Sequence, residues 1–207
     1  MQILSLSSGP IGTNTFFVYD EETKKSFIVD PGGYNKVLSD KINELGLELM
    51  YIILTHGHAD HIMGVQDYQK DFPDAKIVAS KDEAEMLSDV NFNMSAQFGA
   101  PTSLTADINV DDGDKMQVGN LELEFILTPG HSPGGMCIYI ADEKTLFSGD
   151  TLFQASIGRT DFPGSSYQVL ADSVHQKLWP LPDDTSVFPG HMGPTTIGFE
   201  KENNPFV

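Results

Sequence analysis

The 207-residue sequence predicts an α/β fold in which two β-sheets pack face to face with helices on their outer sides. Two observations carry this. Short apolar or alternating runs bounded by Gly, Pro and Asp recur along the whole chain, and the few helical segments each carry one apolar face. No linker, low-complexity stretch or repeat interrupts them, so residues 1–207 read as a single domain.

Taken in order, "MQILSLS", "TFFVYD" and "SFIVD" are strands, with turn signals at Gly9-Pro10, Gly12 and Pro31-Gly32-Gly33. Val37, Leu38, Ile42 and Leu45 then recur at helical spacing, and Gly46 follows as the residue that ends the helix. "LELMYIILT" returns to strand. A helix is expected from about Ile62 to Phe72, then strand "AKIVAS", then a helical or irregular stretch over 81–98. The second half supplies strands "DKMQV", "NLELEFILT", "GMCIYIAD" and "TLFSGD". A helix over Ser166–Leu178 places Tyr167, Leu170, Val174 and Leu178 on one face, and "TSVFPG" is the last strand.

Composition narrows the function. Hydrophobic residues make up 40% and charged residues 20%, ordinary for a globular protein. Thirty Asp and Glu against twelve Lys and Arg give a formal net charge of -18, a field that repels nucleic-acid phosphates. One cysteine, Cys137, cannot form an internal disulfide; it alternates with apolar neighbours and reads as core. The start of the chain lacks a basic region and a long enough apolar stretch for a signal peptide, and no window has the length of a membrane span. A cytoplasmic protein with no nucleic-acid or membrane partner is expected.

The chemistry gathers at strand ends. "IILTHGHADHIMG" places His56, His58 and His61 with Asp60 directly after an apolar run. Residues two apart in an extended segment point the same way, so His56 and His58 can converge on one ion. Asp60 and His61 sit where a helix begins, aimed at a second point; this is not the helix-borne pair of zincins. "ILTPGHSPGG", "LFSGDTLF" and "SVFPGHMGP" then end strands with His131, Asp150 and His191. Five imidazoles and two carboxylates, without thiolate, suit zinc, iron or manganese. Separate capping roles for these histidines are the competing explanation, and four strand ends with the same residue types weigh against it. His175, mid-helix and without ligand-like neighbours, reads as a plain helix residue.

These motifs, "HGHADH", "TPGHSPG", "FSGDTLF" and "PGHMGP" in that order, resemble the metallo-β-lactamase superfamily over the whole chain. "VDPGG", "GRTDFPG" and the terminal "NPF" are similar to its glyoxalase II-like (hydroxyacylglutathione hydrolase) branch, and among those to short single-domain members. The resemblance implies a four-layer αββα sandwich with a two-metal site at one edge of the paired sheets. It implies that His56, His58 and His131 hold one metal, that Asp60, His61 and His191 hold the other, and that Asp150 bridges them. It also implies that Asp30 steadies the ligand loop from behind. Glyoxalase II proper continues into a helical domain that helps bind glutathione, whereas this chain stops soon after His191. Arg159 remains as a cation near the site for a substrate carboxylate, and a salt bridge to Asp161 is its alternative use.

The chemistry so implied is attack of a metal-bridging hydroxide on a thioester such as S-lactoylglutathione, the pKa of bound water falling from about 16 to about 7. Asp60 and Asp150 are the catalytic carboxylates, and two divalent ions, zinc before iron or manganese, are the cofactors. An iron-dependent persulfide dioxygenase, with a similar "GRTDF" loop, is the main alternative, and lactonase chemistry would use the same metals. A β-lactamase is disfavoured, because the resemblance implies that those enzymes lack the bridging aspartate and are exported. A flavodiiron-like carrier would have Glu where His58 stands. The thiol, the acyl group, the native metal and the oligomeric state stay open.

Overall fold

The computed structural model describes residues 1–207. Residues 2–110 form one six-stranded sheet: β1 (Gln2–Ser8), β2 (Thr13–Tyr19), β3 (Lys25–Val29), β4 (Glu48–Ile53), β5 (Lys76–Ser80) and β6 (Ile108–Val110), ordered as in the sequence. The first three pair antiparallel, and β3 to β6 pair parallel. The parallel crossovers carry helices α1 (Lys36–Glu44), α2 (Ala59–Ile62), α3 (Val65–Asp71) and α4 (Ala84–Ser88). Residues 115–196 form the second six-stranded sheet from β7 (Lys115–Val118), β8 (Leu121–Leu127), β9 (Met136–Ile140) and β10 (Thr145–Gly149). After the small hairpin β11 (Leu152–Phe153) and β12 (Ser156–Ile157) come helix α5 (Tyr167–Ser173), β13 (Ser186–Pro189), β14 (Thr195–Thr196) and α6 (Ile197–Asn203). The second sheet is ordered β14-β13-β10-β9-β8-β7.

Three apolar clusters define the layers. Phe16, Val18, Phe27, Val29 and Ile53 of the first sheet meet Leu123, Phe125, Ile138 and Phe147 of the second. Strand alternation sends Phe17, Ile28 and Ile52 to the opposite face, against Leu38, Ile42, Ile62 and Tyr68 of the helices. Likewise Cys137, Tyr139, Leu146 and Val187 pack on Val174, Leu178 and Ile197. Helix, sheet, sheet, helix: this is the four-layer sandwich expected from the motifs. Cys137 is fully buried, and burial pushes its thiol up to about 11. No helix is long and apolar enough to cross a membrane.

Most predicted elements stand where expected, including α1, whose N-terminus is capped by the Asn35 side chain and which ends before Gly46 at φ +61. Three differ. The helix expected over 62–72 starts at Ala59 and breaks at Met63-Gly64. There the Gly64 N–H donates to Pro31 O at 2.8 Å, and a Cβ on Gly64 would lie 2.6 Å from the Gly33 carbonyl carbon. The chain thus gives up helix continuity for a close backbone approach. The helix over 166–178 ends as α at Ser173 and finishes in a wider turn, with Trp179 N–H donating to Val174 O. Tyr167 does not join its apolar face; it is half exposed and its hydroxyl donates to Phe206 O at 2.7 Å. Finally, β6, the β11–β12 hairpin, β14 and α6 have no separate signal in the sequence, being too short or too mixed in pattern to show a period.

Candidate metal centre

Strand direction assembles the site. Strands β8 and β10 are both antiparallel to β9, and β13 is parallel to β10, so β8, β10 and β13 end on the same edge of their sheet. The residues just past those ends are His131, Asp150 and His191, and the residues past β4 in the facing sheet are His56, His58, Asp60 and His61. The two sets meet across the seam between the sheets.

Two trios result, each with donor atoms within 4.8 Å of one another: His56, His58 and His131, and Asp60, His61 and His191. His58 Nδ1 lies 2.9 Å from His131 Nε2. In the other trio, Asp60 Oδ2 lies 3.4 Å from His61 Nε2 and 3.1 Å from His191 Nε2. Asp150 stands between them, with Oδ1 3.3 Å from His61 Nε2 and Oδ2 3.5 Å from His131 Nε2 and 3.7 Å from His191 Nε2. Nitrogens about 2.1 Å from one tetrahedral ion stand about 3.4 Å apart, so these spacings match a shared centre.

The surrounding bonds fix which ring nitrogens face inward. His131 Nδ1–H donates to Arg159 O at 2.7 Å, and a carbonyl can only accept. Asp30 accepts from Thr55 N (2.7 Å), Thr55 Oγ1 (2.6 Å) and His61 Nδ1 (2.9 Å). Because Thr55 Oγ1 spends its proton on Asp30, its lone pair is left to receive His56 Nδ1–H at 3.1 Å. All three rings therefore turn Nε2 toward the centre. Asp30 also lies close to His56 and His61, but its oxygens are taken up by these donors, and it holds the loop from behind at a strained φ of +49°.

Whether divalent ions fit is answered by the polar atoms themselves. His56 Nε2, His61 Nε2 and Asp150 Oδ1 are buried with no hydrogen-bond partner. Such orphaned polar atoms are costly, and three facing one small volume are best explained by cations that they coordinate. Burial lowers the His58 pKa to about 3 and lowers His56 and His131, keeping them neutral, the form that binds metal. His61 departs the other way: burial opposes its charge, yet Asp60, Asp150 and Asp30 raise it well above the usual imidazole range. Burial likewise opposes ionisation of Asp60 and Asp150, but the attraction of His61 leaves both carboxyls below their ordinary values.

Several positioning residues were not foreseen. Buried Glu83 accepts from Gly57 N at 2.9 Å and from Ser132 Oγ and Gly134 N at 2.5 and 2.6 Å, tying the loop of His56 and His58 to that of His131. Thr13 Oγ1 donates to Asp60 Oδ2 at 2.9 Å. The Asn14 N–H donates to Gly190 O, and its amide to Pro189 O and Met192 O, fixing the loop of His191. Gly190 itself admits no side chain, since a Cβ there would lie 2.4 Å from Asp150 Oδ1. Single small polar residues such as these carry no spacing signal; Glu83 alone, an acid beside apolar Met86 and Leu87, hinted at burial. Arg159 reaches the site's rim, where its exposed guanidinium forks onto Asp161 at 2.9 Å and lies 4.2 Å over the Phe162 ring. His175 is exposed, edge-on to Trp179, and has no part in the cluster.

A cavity of about 450 Å³ opens over the cluster, reaching His58, Asp60, His131, Asp150 and His191. Its size suits a small organic substrate.

Comparison with known proteins agrees with this geometry. The chain is 36% identical over 201 residues to "Probable metallo-hydrolase YqgX" of Bacillus subtilis, covering 96% of this chain and 94% of that one. It is 35% identical to hydroxyacylglutathione hydrolase GloC of Haemophilus influenzae, covering 94% and 92%. Among solved structures, the BLEG-1 B3 metallo-beta-lactamase superposes with a TM-score of 0.91 at 37% identity over 99% of both chains. ETHE1 from Myxococcus xanthus gives 0.81 at 30% identity over 99% of this chain and 84% of that one. TTHA1623 in a di-iron-bound form gives 0.83 at 28%, over 99% and 100%. The Metallo-beta-lactamase superfamily profile matches residues 8–191, which span every one of the seven clustered side chains. The chain belongs to the metallo-beta-lactamase superfamily and is a metallo-hydrolase of that kind.

Proposed function

We propose that the protein is a binuclear thioester hydrolase of the glyoxalase II type. The observation that carries this is Asp150, which stands between the trios with Oδ1 toward His61 and Oδ2 toward both His131 and His191, and leaves Oδ1 without any other partner. His56, His58 and His131 would hold one divalent ion and Asp60, His61 and His191 the other, with Asp150 shared. Zinc is the first choice by ligand chemistry, with iron and manganese as alternatives. Two such ions, when bound, supply Lewis-acid polarisation of the acyl oxygen and a hydrolytic nucleophile at neutral pH.

The chain's own residues do the rest. Asp60, held by Thr13 and lining the cavity, orients the attacking water. Asp30 and Thr55 keep the rings of His61 and His56 from turning. Outside the seven clustered residues, only Asn93 and Arg159 bring polar side chains to the cavity wall, and neither is a proton donor for a leaving group at neutral pH. A thiolate needs none, which favours a thioester over an amide. The relationship to GloC supports the same choice. The single buried cysteine fits a reducing, cytoplasmic setting.

Iron-dependent persulfide oxygenation, whose enzymes the "GRTDF" loop also resembles, is the second reading, and the likeness to BLEG-1 keeps β-lactams among the substrates to try. The deciding experiment loads the protein separately with zinc, manganese and iron. Each form is assayed for thioester cleavage, for oxygen uptake with glutathione persulfide, and for nitrocefin hydrolysis. Thioester cleavage without oxygen uptake supports the proposal. Rapid oxygen uptake by the iron form, with no thioester cleaved by any form, overturns it.

A further inference from the structure

Resting on that reading, we infer that the site takes uncharged thioesters with apolar acyl or thiol chains rather than glutathione conjugates. The cavity wall beyond the clustered ligands is almost wholly apolar: Ile11, Met94, Phe98, Phe153 and Phe162 stand around it. Ile11 and Phe98 are 57% and 39% exposed, large apolar side chains held at the mouth where water would otherwise favour polar ones.

The polar side chains of the wall are already engaged. Asn93 is fully buried; its amide donates to Thr102 O, and its side-chain oxygen accepts from Ser95 N–H. Arg159 is the one arginine in the sequence, and no lysine lines the cavity. Its guanidinium is bound at both Nε and one Nη by Asp161 and lies against Phe162. A glutathione conjugate brings two carboxylates. Beyond the bound ions, which the acyl group itself occupies, it would meet one cation, already neutralised by an acid, in a molecule of net charge -18. An alkyl or aryl chain would instead replace water over five apolar side chains, each methylene taken in tightening binding by about threefold to fourfold. The reaction is ordinary hydrolysis: the acyl C–S bond breaks, a C–O bond forms from water, and the products are a carboxylic acid and a thiol.

The test separates the pocket from the reaction. Calorimetry on metal-loaded protein compares S-butyl and S-hexyl thioethers of glutathione and of N-acetylcysteamine, which have no bond to hydrolyse. Lengthening the chain by two methylenes should tighten Kd about tenfold. Exchanging glutathione for uncharged N-acetylcysteamine should leave Kd equal or lower. Ile11→Ala and Phe98→Ala, both at exposed positions, should remove most of the chain-length gain. Asp161→Asn should improve S-hexylglutathione by about threefold or more, as expected when a nearby cation is released, and leave the uncharged thioether unchanged. Glutathione thioethers binding more than about tenfold tighter, with Arg159→Ala erasing the difference, would overturn the inference. If the thioethers follow the apolar order but the matching hexanoyl thioesters are not cleaved, the thioesterase reading falls and the pocket assignment stands.

Discussion

The two trios of the metal centre are built from the same residue types on opposite electrostatic plans. In the first, two of the three buried imidazoles lean on neutral acceptors, Thr55 Oγ1 behind His56 and Arg159 O behind His131. In the second, His61 is enclosed by Asp30, Asp60 and Asp150, and the His191 side chain keeps 24% of its surface exposed. The first is closed and nearly uncharged; the second is open on one side and rich in carboxylate. By ligand chemistry the all-nitrogen trio would suit zinc-like ions, and the mixed one a wider range that includes manganese and iron. One pocket of seven side chains is in this sense two sites of unequal character sharing Asp150.

The harshest way to break the comparison is to remove what both sides share. Asp150→Asn should lower turnover by more than about 100-fold, beyond the 10–100-fold that loss of an outer partner costs, with circular dichroism unchanged. Next come the single-sided changes. His131→Ala and His191→Ala should each lose metal, and elemental analysis should find the His191 variant keeping close to one equivalent, because the buried trio is intact. Glu83→Gln is smaller and one-sided: its carboxylate braces only the loops of His56, His58 and His131. It should weaken the first ion about tenfold or more and leave the second nearly unchanged, as read by competition with a chelator.

Acidification sharpens the contrast. The His58 pKa sits at about 3, and His56 and His131 are also lowered, so protons compete weakly with the first ion. The His61 and His191 pKa values are raised despite burial, by the carboxylates around His61 and by the bond from His191 to Asp60, so protons compete strongly with the second. Metal retained after gel filtration at stepped pH should therefore fall from two equivalents toward one as pH drops below neutrality, the open trio emptying first. The smallest effect is expected from His175→Ala, which should leave activity and metal content alone and change stability by less than about 0.5 kcal/mol.

Much of this was legible in the sequence, and unevenly. Strand ends are where direction matters most, and glycine beside histidine marked three of them and glycine beside aspartate the fourth, so the seven clustered side chains could be named before any coordinates. Asp30 was named as a brace from its place in "VDPG", and the structure finds it bonded to Thr55 and His61. What escaped was whatever depends on two distant segments touching. Glu83 is separated from Ser132 by 49 positions, and Asn14 from Pro189 by 175, distances over which no local period reports. The break at Gly64 escaped for the same reason: its cause is the backbone of Pro31 and Gly33, not its own neighbours. The apolar wall escaped too, because Ile11, Phe98 and Phe162 lie in three segments far apart in sequence.

Each sheet draws on its own stretch of chain, residues 2–110 for one and 115–196 for the other, joined by the short turn over 111–114. Each trio takes two members from the first stretch and one from the second. Neither stretch alone holds a complete trio. During folding each sheet can form from its own contiguous residues, whereas the donor set exists only once the two have docked. A bound ion would then act as a clasp between half-chains, joining by coordination what the backbone joins at a single turn. Such a clasp would form only in the docked chain, because a form with undocked sheets would lack a complete trio.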